Sequence, residues 1–125
     1  NLKNIYNNHY INMSSKLPIT FLSLEKLIET ENRLIVLDCY AEWCGPCKRI
    51  APEISNLETK YPTDLNGNGG VLVLKADIDE CDDIAAKYNI KQLPTILYFK
   101  HGRLIDKFIG ANMEEIEKKI ITYWK

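Results

Sequence analysis

No apolar run in this sequence approaches the roughly 20 residues a bilayer-crossing helix needs, so no membrane span is expected. Charge of one sign is also missing. Sixteen Lys and Arg against 17 Asp and Glu leave a net charge of −1, and nothing in that balance draws the chain to nucleic acid. Cysteine and histidine are scarce, four and two in 125 residues, with a single CxxC and no His pair. That is short of the four ligands of a structural zinc site, so no metal is expected. The arrangement does not resemble a disulfide framework either, and a chain of this length buries a core without one. An initial Met is absent too. Asn1 in its place suggests removal of an N-terminal targeting segment or trimming, and points to a secretory or organelle lumen, with the cytoplasm as the alternative. Residues 1–17 carry five asparagines, no acid and only Lys3 and Lys16 as charges. They read as a flexible extension or the remnant of a processed leader, with a docking arm as the sharper reading.

What is present concentrates around Trp43-Cys44-Gly45-Pro46-Cys47. The run Leu34-Ile35-Val36-Leu37 before it reads as a buried strand. Ile50, Ile54, Leu57 and Tyr61 after it have helical spacing. The two cysteines thus fall where a strand hands over to a helix, close enough on one face to bridge. Cys44, nearest the helix start, meets unpaired N–H groups and the positive end of the dipole. Such a place lowers a thiol pKa from ~8.5 towards neutrality and supplies a nucleophilic thiolate. Cys47, one turn deeper, is expected to be less exposed and less reactive. One sulfur attacks and the other resolves, which makes the pair a dithiol/disulfide redox centre.

The segment Leu37-Asp38-Cys39-Tyr40-Ala41-Glu42-Trp43-Cys44-Gly45-Pro46-Cys47-Lys48 resembles the active-site segment of the thioredoxin family. Lys75-Ala76-Asp77-Ile78-Asp79, Leu93-Pro94-Thr95, Phe99-Lys100-His101-Gly102 and Gly110-Ala111 resemble further family segments, in the same order. The resemblance covers residues 18–125, taken here as one domain. It implies an α/β thioredoxin fold, a central mixed sheet with helices on both faces.

Element patterns agree. Ile19-Thr20-Phe21 reads as a short strand, with Ser23 capping a helix whose inner face is Leu24, Leu27 and Ile28. Leu34–Tyr40 is the central strand, and a helix from Cys47 to about Tyr61 should kink at Pro52. Residues 62–70, rich in Pro, Asn and Gly, form a loop, read as a surface insertion or a partner-binding segment. Val71–Ala76 is a strand and a short helix starts at Asp82 or Asp83. Thr95–Phe99 and Leu104–Ile109 form an antiparallel hairpin. Asn112 caps a last helix, with Glu115 completing a capping-box pattern. The expected order is β-α-β-α-β-α-β-β-α.

Gly45 and Pro46 tune the redox balance. Proline suits a first helical turn, stiffens the dithiol and adds no charge, whereas a His there would stabilise the Cys44 thiolate and favour oxidation. This reasoning and the resemblance both favour reduction of substrates. Asp38 sits in an apolar strand, where burial raises a carboxyl pKa and fits it to take the Cys47 proton, the role of the matching family residue. Lys75 matches a family lysine near that acid. The resemblance further implies a cis bond before Pro94. It also implies a strand-like peptide site at Leu93 and Pro94, rimmed by Trp43, Gly45, Pro46, Leu93, Gly110 and Ala111. For Trp43, plain packing beside the helix start is the other reading. Cys39 reads as a core residue and Cys81 as an inert thiol among acids, with a regulatory bond or dimer bridge as the sharper alternative.

The expected activity is thiol–disulfide exchange that reduces protein disulfides through a mixed disulfide, part of electron transport and cell redox homeostasis. It needs no cofactor beyond the Cys44–Cys47 couple. Electrons would come from NADPH through a separate thioredoxin reductase, or from another thiol donor. Rival readings are an oxidant or isomerase in a secretory compartment, and a subunit of a larger assembly held through residues 1–17 or 62–70.

Overall fold

The computed structural model describes residues 18–125; the extension expected over residues 1–17 and its docking role lie outside them. The elements are α1 (Phe21–Thr30), β1 (Leu34–Tyr40), α2 (Gly45–Ser55), α3 (Leu57–Lys60), β2 (Val71–Asp77), α4 (Asp82–Lys87), β3 (Thr95–Lys100), β4 (Arg103–Ile109) and α5 (Met113–Tyr123). The sheet order is β2-β1-β3-β4, with β1 parallel to β2 and the β1–β3 and β3–β4 pairs antiparallel. The central strands β1 and β3 are covered on both faces and are apolar nearly throughout, as two-sided burial demands. The edge strand β4 leaves Leu104 and Ile109 exposed.

Alternation along β1 divides the core. Ile35, Leu37 and Cys39 face a layer built with Leu24 of α1 and Ile84 of α4. Leu34 and Val36 face the other layer, where Ile50 and Ile54 of α2, Leu57 of α3, and Ile116 and Ile120 of α5 pack. The mixed sheet therefore carries helices on both faces. Asp38 and Tyr40 continue the second stripe, so the strand aims both beneath the cysteine-bearing helix.

Several expectations need correction. The strand over residues 19–21 is reduced, among the described residues, to one bridge of Pro18 with Lys75 and the Ile19 N–H donated to the Lys75 carbonyl at 2.6 Å. The chain turns helical at once because Thr20, not Ser23, is the cap: its Oγ1 accepts from the Ser23 N–H at 3.2 Å. The cysteine-bearing helix starts at Gly45 rather than Cys47. It is interrupted at Asn56, four residues beyond Pro52, where the Asn56 N–H turns to the Glu53 carbonyl at 3.2 Å. The capping box on α5 is half formed: Asn112 accepts from the Glu115 N–H, while the Glu115 carboxylate pairs with Lys118.

The loop over residues 62–70 is organised by Asp64, whose Oδ1 accepts from the N–H groups of Asn66 and Asn68 at 2.8 and 2.9 Å. These bonds hold its carboxyl below the usual range. Leu65 projects fully from it. Among the described residues no helix is long and apolar enough to cross a membrane.

Candidate active site

The end of β1 delivers the chain to the helix through Ala41, whose carbonyl accepts from the Cys44 N–H at 3.1 Å. Cys44 is the N-cap of α2, in extended conformation, and its sulfur accepts from the Cys47 N–H at 3.2 Å. An N-cap acceptor normally comes from an oxygen side chain; here sulfur takes that place. The same N–H and the dipole behind it favour negative charge on that sulfur once it is reduced. Pro46 lies in the first helical turn, where its missing N–H leaves nothing unsatisfied. Cys44 and Cys47 are joined in a disulfide with Cα atoms 5.3 Å apart.

The two sulfurs do not differ in burial as expected. Cys44 is 4% exposed and Cys47 3%, because Ala41, Leu93 and Tyr40 enclose the bridge. The asymmetry between them is one of position on the helix: Cys44 caps it, and Cys47 lies inside the first turn.

Leu93 is joined to Pro94 by a cis peptide bond and packs against the disulfide. The Pro94 carbonyl accepts from the Gly110 N–H at 2.9 Å. Gly110 has φ +128°, a value side-chain-bearing residues rarely adopt, so glycine there keeps β4 and the proline loop in contact. Gly45 and Pro46 are exposed beside the bridge. Ala111 packs instead into the layer that holds α5. Trp43 is 71% exposed, which removes the plain-packing reading. Its indole N–H donates to Asp79 Oδ2 at 2.8 Å, fixing an apolar plate beside the sulfurs.

Behind the bridge lies a cavity of about 450 Å³ lined by Asp38, Tyr40, Cys47, Lys48, Pro52 and Lys75, among others. Asp38 is 1% exposed and its Oδ1 has no hydrogen-bond partner. Burial pushes its carboxyl up to about 6, against a smaller opposing pull from the Lys75 ammonium. Asp38 and Lys75 are register partners across β1 and β2, so both side chains leave the same face of the sheet. A buried carboxyl that titrates near neutrality beside the inner cysteine can hold or release a proton there.

The structure thus gathers Cys44, Cys47 and Leu93 in one cluster, Pro94 and Gly110 beside it, and Asp38 and Lys75 behind it. Sequence reasoning missed Asp79, which lies 36 residues from its partner Trp43 and gave no signal. It also missed Tyr40, for which a signal existed: it stands two residues from Asp38 on the same strand face. The Cys81 thiol donates to the Ile19 carbonyl at 3.3 Å; burial and then Asp83 push its pKa up. Among the described residues no group of three or more His, Cys, Asp or Glu side chains could hold a metal ion.

The family model described as Thioredoxin matches residues 17–122. Thioredoxin from Equus caballus is 41% identical over 96 residues, which are 77% of this chain and 85% of that one. Thioredoxin-T from Drosophila melanogaster is 39% identical over 94 residues, 75% of this chain and 56% of that longer protein. Among solved structures, mitochondrial thioredoxin 3 from Saccharomyces cerevisiae in its oxidised form superposes with a TM-score of 0.73 at 38% identity, over 82% of this chain and 90% of that one. Fold, cysteine pair and relatives agree: the chain belongs to the thioredoxin family of protein-disulfide reductases.

Proposed function

We propose that this thiol–disulfide oxidoreductase uses Cys44 as its attacking thiolate, Cys47 as its resolving thiol and Asp38 as the base that serves Cys47. In the reduced protein the Cys44 thiolate attacks one sulfur of a substrate disulfide. The substrate S–S bond breaks, one substrate sulfur leaves as thiolate, and a mixed disulfide forms. Cys47 then gives its proton to the Asp38 carboxylate and attacks the Cys44 sulfur. The mixed disulfide breaks, the second substrate sulfur leaves, and two electrons have passed from the dithiol to the substrate. The observation that carries this reading is the buried Asp38 carboxyl, its Oδ1 without a hydrogen-bond partner, in the cavity that also reaches Cys47.

Substrate backbone would lie against the Leu93–Pro94 loop in strand-like fashion, between the Trp43 plate and Gly110, with Gly45 and Pro46 leaving the bridge unobstructed. Reduction is the favoured direction because no cation stands between the two cysteines to stabilise the Cys44 thiolate further. The dithiol would be restored by a thioredoxin reductase drawing on NADPH, or by another thiol donor. Placement in an organelle lumen is part of the proposal, supported by the mitochondrial thioredoxin among the structural relatives; immunogold labelling confined to the cytosol would overturn it. Residues 1–17 as a docking arm would be tested by comparing the partners captured with and without them.

The central experiment is Cys47→Ser. Mixed disulfides should accumulate on Cys44 and be released by dithiothreitol. Accumulation on Cys47 in the reciprocal Cys44→Ser variant would reverse the assignment. Rapid mixing with Asp38→Asn should show normal formation but slow resolution of the mixed disulfide, and an unchanged resolution rate would remove Asp38 from the mechanism.

A further inference from the structure

The Lys75 ammonium does not sit on the Asp38 carboxylate, although the register places the two residues side by side. No ion pair joins them among the described residues, and Asp38 Oδ1 accepts no hydrogen bond. Instead the Lys75 Nζ lies over the Tyr40 ring, 4.7 Å from its centroid. Tyr40 shares the strand face of Asp38 two residues on, and Asp38, Tyr40 and Lys75 line one cavity with Cys47. A ring face attracts a cation through its quadrupole, by about 0.5–1 kcal/mol at exposed sites and more when desolvated. The three side chains form a triangle in which the cation has two competing seats, and the ring occupies one of them.

We propose that Tyr40 is a positioning residue for the resolving step: its ring holds the Lys75 ammonium at the cavity wall, near enough to act on Asp38 through space but off the carboxylate itself. The inference rests on the base role proposed for Asp38 and names the residue that sets how that base behaves. A direct ion pair would hold the carboxyl ionised far below neutrality, by about 1–3 pK units for an opposite charge in contact. It would then be a poor acceptor for the Cys47 proton. With the cation parked on the ring, burial dominates and the carboxyl stays high, at about 6. The other groups facing this cavity are Glu42, from the loop after β1, and Lys48 and Cys47 of α2. Burial, and after it Asp77 of β2, raise the pKa of the Tyr40 hydroxyl. None of these is seated on Asp38 Oδ1.

The test is the Asp38 carboxyl titration, followed by carbon NMR in the oxidised full-length protein, where neither Cys44 nor Cys47 titrates. Tyr40→Leu should free Lys75 to reach Asp38 and lower the Asp38 midpoint by about one unit. Tyr40→Phe, which keeps the ring, should leave it in place. In a Lys75→Met background, Tyr40→Leu should have no further effect, because the ring acts only through the ammonium. An unchanged or raised midpoint in Tyr40→Leu would overturn the proposal, as would a full shift in Tyr40→Phe or one that persists without Lys75. A measurement on the unaltered protein stands apart from any folding defect: ring current should shift the Lys75 ε-methylene protons upfield, and random-coil values there would also refute the seat. Failure of the base role would be visible separately, as an unchanged resolution rate in Asp38→Asn with the titration results intact.

Discussion

The protein holds two pairs of cysteines, and their surroundings differ more than their exposure. Cys44 and Cys47 cap and enter a helix, with a backbone N–H turned on the outer sulfur. Cys39 and Cys81 lie in the opposite layer, against α1 and α4. There, burial pushes the Cys39 thiol far up, with the Asp38 charge adding to it. Cys81 is raised by burial and then by Asp83, Asp77 and Glu80. All four are nine-tenths or more buried, so concealment alone does not make a cysteine inert. What separates the pairs is that a cap N–H and a helix dipole offset burial at Cys44, whereas at Cys39 and Cys81 burial is the larger influence and nearby carboxylates add to it.

The largest effect that could break this comparison is selectivity of alkylation. In the reduced protein at pH 7, iodoacetamide should modify Cys44 on the order of tenfold faster than an ordinary free thiol, since the cap N–H and the helix dipole favour its thiolate. Cys39 and Cys81 should stay unmodified until the protein unfolds, as read by mass spectrometry. Comparable labelling of Cys81 and Cys44 would end the argument from the helix cap. Cys44→Ser should abolish insulin reduction, because a hydroxyl does not attack a disulfide at neutral pH.

Next in size is Asp38→Asn. Removing a positioned base should slow resolution of the mixed disulfide by about a hundredfold. The same change should stabilise the fold at neutral pH. With its pKa raised to about 6, Asp38 binds a proton in the folded state where the unfolded chain has already lost its own. The stability linked to that proton is fully present below pH ~4 and is lost as pH rises through ~6. At pH 7 the replacement should therefore gain on the order of 2 kcal/mol, measured by urea unfolding, and the gain should vanish near pH 4. Pro46→His is smaller. A cation next to Cys44 should favour the thiolate and raise the couple's potential by about 30 mV for each tenfold change in equilibrium constant. Equilibration with glutathione reads it, and a fall in potential would contradict the account.

How much of this was legible in the sequence follows from the range of each interaction. Strands β1, β2 and β3 announce themselves as apolar runs, and the cysteine pair carries its own spacing. At Ile19-Thr20-Phe21 the apolar–polar–apolar triplet reads as a strand and Ser23 as the cap, whereas the chain caps its helix at Thr20, one turn earlier. The earlier cap prevailed because Phe21 then joins Leu24, Leu27 and Ile28 on the helix face that covers the sheet. The burial of Asp38 could be expected from an acid inside an apolar run. The Trp43–Asp79 bond could not, since it depends on how a loop beyond β2 returns past the helix start. Tyr40 over Lys75 is intermediate: strand alternation places Tyr40 with Asp38 and the resemblance places Lys75 near that acid, but only the structure seats the ammonium over the ring.

The smallest effect sharpens the comparison by dividing its causes. For Cys81, burial is the larger influence and the Asp83 charge the next. Asp83→Asn removes a charge without opening the site, but the Asp83 Oδ1 also accepts from the Ile84 N–H at 2.9 Å, a bond the Asn carbonyl can retain. Alkylation of Cys81 in the folded protein should therefore rise by no more than about twofold, as expected for one partly screened charge near the surface. Phe21→Ala would act on the other cause, by thinning the apolar cover over α1 and the adjoining core, and should expose Cys81 by more than the charge change does. If Asp83→Asn instead made Cys81 as reactive as Cys44, the carboxylates alone would be responsible, and the apolar wall would contribute little to keeping the second pair silent.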